Sequence, residues 1–218
     1  MVRTRQLFLL VSQTDTGIAK LIRTCSHYPY NHVSLTLDPS LRQWYSFARY
    51  VQDAPFYSGL VREPVERFLA RTGDALVRIY RVEIPVTSAD RLERLLLHAG
   101  DPSCGLLYNY FDAVASVAGC QLQLPNAYTC LSFACSVLER QHLNIRSLCK
   151  DLEPLLIYEG SLSSLIPDSG VREDPYFART GLVHGTAASI NQLFHLTVRV
   201  VAHRFHIYKV HRFHRTVR

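Results

Sequence analysis

His32-Val33-Ser34-Leu35-Thr36-Leu37, then Asp38-Pro39-Ser40, then Gln43-Trp44-Tyr45-Ser46-Phe47 is the stretch that decides the fold. Side chains alternate along a strand, so Val33, Leu35 and Leu37 share one face and His32, Ser34 and Thr36 the other. The Asp-Pro-Ser turn makes the two runs an antiparallel hairpin. Upstream, Leu7-Phe8-Leu9-Leu10-Val11 is an apolar run that stops at Ser12-Gln13-Thr14-Asp15. That length suits a buried strand and is too short for a membrane span or a signal-peptide core. Ile18, Leu21, Ile22 and Cys25 then mark one face of a helix, which Tyr28-Pro29 ends. Residues 50–63 show no periodicity and read as irregular. Residues 75–84 alternate as a strand, and Thr87-Ser88-Ala89-Asp90 resembles a capping box opening a helix to about residue 99. Residues 106–118 read as helix. Residues 128–142 give a further helix, with Leu131, Ala134, Val137 and Leu138 at helical spacing. Strands interspersed with helices, with tight hairpins in the sheet, predict an α+β fold in which an antiparallel sheet packs on helices.

The composition is that of a folded chain, with 48% hydrophobic and 19% charged residues among 218. No run is long and apolar enough for a span, so a cytoplasmic location is expected. In that compartment the six cysteines are expected as thiols. No CxxC or HExxH spacing occurs, and neither a metal nor a cofactor is expected. Charge is segregated: no acid follows Asp174, and the last 44 residues carry a net +7 against −1 for the rest. Leu165-Ile166-Pro167-Asp168-Ser169-Gly170 is the best boundary between a body, residues 1–166, and a basic extension, residues 167–218. In the extension, Ile190, Leu193, Phe194, Thr197, Val200, Val201, Phe205 and Tyr208 recur at helical spacing, with basic residues between. A basic amphipathic helix suits an anionic membrane surface; packing on the body is the competing reading, and a nucleic-acid partner is not expected. His203, His206, His211 and His214 sit in a terminal arm and do not define a metal site.

Cys130 opens the helix of residues 128–142. There it meets unpaired backbone N–H groups and the positive end of the helix dipole, both of which favour the reactive thiolate. Cys135 lies more than a turn further in, near the apolar stripe, and reads as core.

Leu9-Leu10-Val11-Ser12-Gln13-Thr14, Tyr30-Asn31-His32-Val33-Ser34-Leu35, Trp44-Tyr45-Ser46-Phe47 and Tyr128-Thr129-Cys130-Leu131-Ser132-Phe133 occur in that order. The order resembles the permuted papain-like cysteine amidases of the NlpC-type superfamily, in which a strand beginning with His precedes the helix bearing Cys. The likeness covers roughly residues 7–166, with Leu156-Ile157-Tyr158-Glu159-Gly160-Ser161-Leu162 similar to the closing segment. It implies a circularly permuted papain-like fold and hydrolysis of a peptide-like amide through an acyl-enzyme. Cys130 would be the nucleophile and His32 its base. Relatives often orient the His with a carboxylate on the next strand; here Ser46 is the best match and Gln43 the second. Gln13 and Tyr128 are the candidate oxyanion donors. Two alternatives follow from the same resemblance: acyl transfer or ester cleavage on lipids, and a binding module that keeps the groove without turnover, which the missing carboxylate favours. Residues 50–63 are expected to wall the groove.

Overall fold

The computed structural model describes residues 3–14, 24, 27–69, 74–117, 119–166, 174–179 and 181–216, of which 117, 182–183 and 204–216 by their backbone alone. In chain order the elements are β1 (Thr4–Ser12), β2 (His32–Thr36), β3 (Gln43–Arg49), β4 (Ser58–Pro64), α1 (Val65–Leu69), β5 (Leu76–Pro85), α2 (Val86–Leu96), β6 (Leu107–Tyr108), α3 (Tyr110–Val117), β7 (Ala127–Tyr128), α4 (Cys130–Leu138), α5 (Ile145–Leu152), β8 (Leu156–Ser161), α6 (Leu162–Leu165) and α7 (Leu182–Thr216). Six strands form one sheet in the order β4-β3-β2-β1-β5-β8, every pair antiparallel. The architecture is α+β, as expected. The predicted helix of residues 14–25 and the boundary at Pro167–Gly170 lie outside the described residues, Thr14 and Thr24 apart.

Both faces of the sheet are covered. Leu7, Leu9, Val11, Val33 and Leu35 pack against Phe133, Ala134, Leu148 and Leu152 of α4 and α5. Phe8, Leu10, Trp44, Val77 and Ile79 pack on the other face against Val65 and Leu162. The polar row of the hairpin, His32, Ser34 and Thr36, is therefore buried as well. Buried polar groups must find partners: Thr36 Oγ1 accepts the Asp38 N–H at 3.0 Å, and His32 and Ser34 find theirs in the site described below.

Three elements depart from the expectations. Residues 50–63 contain a regular strand, β4, paired to β3 from Gln43↔Pro64 to Arg49↔Ser58. Its Gly59 serves close approach, because a Cβ there would stand 2.2 Å from the Tyr50 hydroxyl and 3.0 Å from the Leu106 carbonyl. The capping box at Thr87 does not form: α2 starts at Val86 with Pro85 before it and no side-chain cap. Proline's fixed φ sets that entry, and Thr87 falls inside the helix. Residues 107, 108 and 128, expected in helices, instead belong with Ala127 to the short parallel pair β6–β7, with Tyr108 opposite Tyr128.

The extension packs on the body through α7. Leu196 joins Leu107, Leu124 and Ala127 in a small cluster. Gln192 Oε1 accepts the Ser58 N–H at 2.6 Å, and Arg199 donates to the carbonyls of Gly105, Asn126 and Pro125 at 2.8, 3.0 and 3.2 Å. Among the described residues no helix is long and apolar enough to cross a membrane.

Candidate active site

Cys130 is the first residue of α4, and a reciprocal cap fixes that position. Thr129 Oγ1 accepts the Ser132 N–H at 3.0 Å, and Ser132 Oγ accepts the Thr129 N–H at 2.8 Å. The first-turn N–H groups have no intrahelical partner and point at whatever sits before the helix. What sits there is the start of β2. Cys130 sits beside the His32 ring and the Val33 backbone N–H, and both favour its thiolate. Burial pushes the thiol upward, but the hydrogen bond and charge of His32, with Val33, outweigh it, and the net shift is downward.

His32 uses its other nitrogen on a carboxylate. Nε2 lies 3.0 Å from Oε2 and 3.2 Å from Oε1 of Glu63, which leaves Nδ1 for the thiol. Glu63 is 4% exposed. Its Oε2 also accepts the hydroxyls of Ser46 at 2.6 Å and Ser34 at 2.8 Å, and Arg67 Nε stands 3.8 Å from Oε1. Strand alternation produces this convergence: Ser34 on β2, Ser46 on β3 and Glu63 on β4 project from one face of three adjacent strands. Burial alone would raise the Glu63 carboxyl; His32 and Arg67 hold it well below the ordinary carboxylate range. Burial likewise lowers His32, yet Glu63 and Cys130 carry it above the usual histidine value. Thiol down, imidazole up and carboxyl down are the directions that favour a thiolate–imidazolium pair backed by a carboxylate.

The orienting contact expected of Ser46 is thus made by Glu63. Ser46 touches Glu63 and is one step removed from the imidazole, while Gln43 points elsewhere and accepts from Arg62 Nε at 2.6 Å. Gln13 is brought to the site: it lines the same groove as Cys130 and His32. Asn31 holds that segment, with its Oδ1 accepting the Thr14 N–H at 2.7 Å and its amide reaching Thr14 Oγ1 at 3.1 Å. Tyr128 is not brought in. Its ring packs on Phe47 and Phe133, with centroids at 5.2 and 6.1 Å. The tyrosine at the site is its partner across the parallel pair, Tyr108, which lines the groove close enough to Cys130 for the sulfur's charge to raise its phenol further above what burial already does. Cys135 is buried in α4, and burial pushes its thiol up to about 11, the setting of an inert core cysteine. Among the described residues Cys104, Cys130, Cys135 and Cys149 are free thiols; Cys25 lies outside the described residues.

The groove has a volume of about 810 Å³, within the usual range for a small-molecule or peptide site. Cys130 and His32 stand in it, with Pro55 and Ser58 from the segment expected to wall it and Asp112 and Arg146 as charged members. Among the described residues no group of three or more His, Cys, Asp or Glu side chains could hold a metal ion. Neither Glu63 nor Tyr108 was found from sequence. The only sequence signal for Glu63 is its i,i+4 relation to Arg67, which also occurs on many exposed helices.

No protein-family model matches this chain, and neither does any curated protein or solved structure.

Proposed function

We propose that the chain is a thiol-dependent hydrolase of permuted papain-like type, cleaving a peptide-like amide through an acyl-enzyme on Cys130. One observation carries the reading: a helix-start cysteine whose thiol is lowered by a neighbouring histidine, itself held at Nε2 by a buried carboxylate. The chain order, His strand before Cys helix, supports the permuted arrangement. The thiolate of Cys130 attacks the substrate carbonyl, forming a C–S bond and a tetrahedral oxyanion. Backbone N–H groups in the first turn of α4 and the Gln13 amide, which lines the same groove, would receive that charge. Imidazolium His32 gives its proton to the leaving nitrogen as the C–N bond breaks, and the amine departs. Water then attacks the thioester, and His32 takes its proton. The carboxylic acid leaves and the Cys130 thiolate returns. Glu63 stays ionised throughout and stabilises the imidazolium. A groove without turnover drew its support from a missing carboxylate, and Glu63 removes that support.

The test is to incubate the chain with a peptide-like activated ester at neutral pH and map the acylated peptide by mass. The expected result is one acyl group on Cys130, absent in Cys130→Ala and strongly reduced in His32→Ala. Acylation elsewhere with Cys130 untouched, or amide turnover retained by Cys130→Ala, would overturn the proposal.

A further inference from the structure

The extension carries a second surface. The face of α7 that meets the body is narrow: Gly185, Ser189, Gln192 and Leu196 are buried there, with Val200 packed beside Leu196. The apolar residues that the helical spacing picks out are mostly on the other side. Ile190 is 62% exposed and Phe194 63%, and Val198 and Val201 are each 48% exposed. Spacings of four, four and three place these four side chains in one stripe along the solvent side of the helix. In sequence the same period continues through Phe205 and Tyr208, and the α7 backbone runs on to Thr216. A contiguous exposed apolar stripe on a folded chain marks a contact surface.

Charge selects the occupant. Arg199 is consumed by three backbone carbonyls of the body. Arg204, Lys209, Arg212, Arg215 and Arg218 follow it, and no acid occurs anywhere after Asp174. A second copy of this chain laid on the stripe would bring a second cluster of positive charge against the first, which repels. An anionic bilayer surface matches both properties: apolar side chains enter the headgroup boundary while basic ones meet lipid phosphates. We infer that the outward face of α7 is a docking surface for anionic membrane, with the opposite face fixed to the body. The inference is independent of the chemistry at Cys130.

Flotation of the full chain with phosphatidylcholine vesicles, with and without phosphatidylserine, tests it. The chain should float with the anionic vesicles and not with the neutral ones, and raising salt from about 0.1 to about 0.5 M should weaken binding several-fold. Ile190→Asp combined with Phe194→Asp should reduce binding about tenfold or more. Both positions are exposed, so the thermal transition and Cys130 acylation should be unchanged in the same preparation. As a reading that needs no loss of binding, Phe194→Trp should give blue-shifted emission on adding anionic vesicles, against the background of the single buried Trp44. No binding to anionic vesicles, binding indifferent to the double substitution, or a wild-type dimer that the double substitution splits would each overturn the inference.

Discussion

At Glu63 four partners converge on one carboxylate: His32, Ser34, Ser46 and, further out, Arg67. The two hydroxyls and the guanidinium compensate its desolvation, so the carboxylate can stay charged beside the imidazole at neutral pH. Replacing it with an amide keeps the shape and removes the charge that favours imidazolium. Glu63→Gln should therefore lower amide turnover about 10²- to 10⁴-fold, by analogy with other orienting carboxylates. Ser46→Ala removes a contact to Glu63 and none to His32, and should cost less than about tenfold. Steady-state kinetics of the two variants side by side checks this. Equal losses would mean that the hydroxyl, and not the carboxylate charge, sets the imidazole.

At the scale of elements, what could be read from sequence was what obeys a period. The hairpin of β2 and β3 alternates cleanly because one face packs on α4, and α4 shows its stripe because Phe133 and Ala134 enter the core. Strand β4 hides. It lies at the sheet edge, it ends in Pro64, and its Gly59 is demanded by the approach of Tyr50, so its pattern looks like a loop. Glu63 hides with it, since a carboxylate buried by cross-strand partners leaves no local signature. The choice between Tyr108 and Tyr128 was equally closed, because the two are opposed in a parallel pair and only tertiary placement decides which faces the groove. For α7 the period was legible and the phase was not. Apolar positions are ordinarily assigned to the buried side, yet here Leu196, the Gln192 Oε1 that accepts from the Ser58 N–H and the Arg199 guanidinium dock one side and leave Ile190, Phe194, Val198 and Val201 outward.

Over the whole molecule, a nearly neutral body carries a basic helix that is bound to it by specific contacts. Leu196 is the apolar anchor of that contact and is almost wholly buried. Leu196→Ala should lower unfolding stability by about 2–4 kcal/mol in urea titration, the usual cost of emptying a buried leucine site. An unchanged midpoint would mean that α7 is not held as described. Distant parts of the chain, β2, β4 and the start of α4, meet around the one thiol of Cys130. The pH dependence of iodoacetamide alkylation at Cys130, followed by peptide mass, reads that thiol directly. Because His32 lowers the Cys130 thiol, thiolate persists as pH falls below the ordinary cysteine value. The midpoint of the rate profile should lie below about 8.5 in the wild type. In His32→Ala it should move to or above that value, since burial is then unopposed. A wild-type midpoint at or above the free-thiol value, or one that His32→Ala leaves in place, would contradict the account.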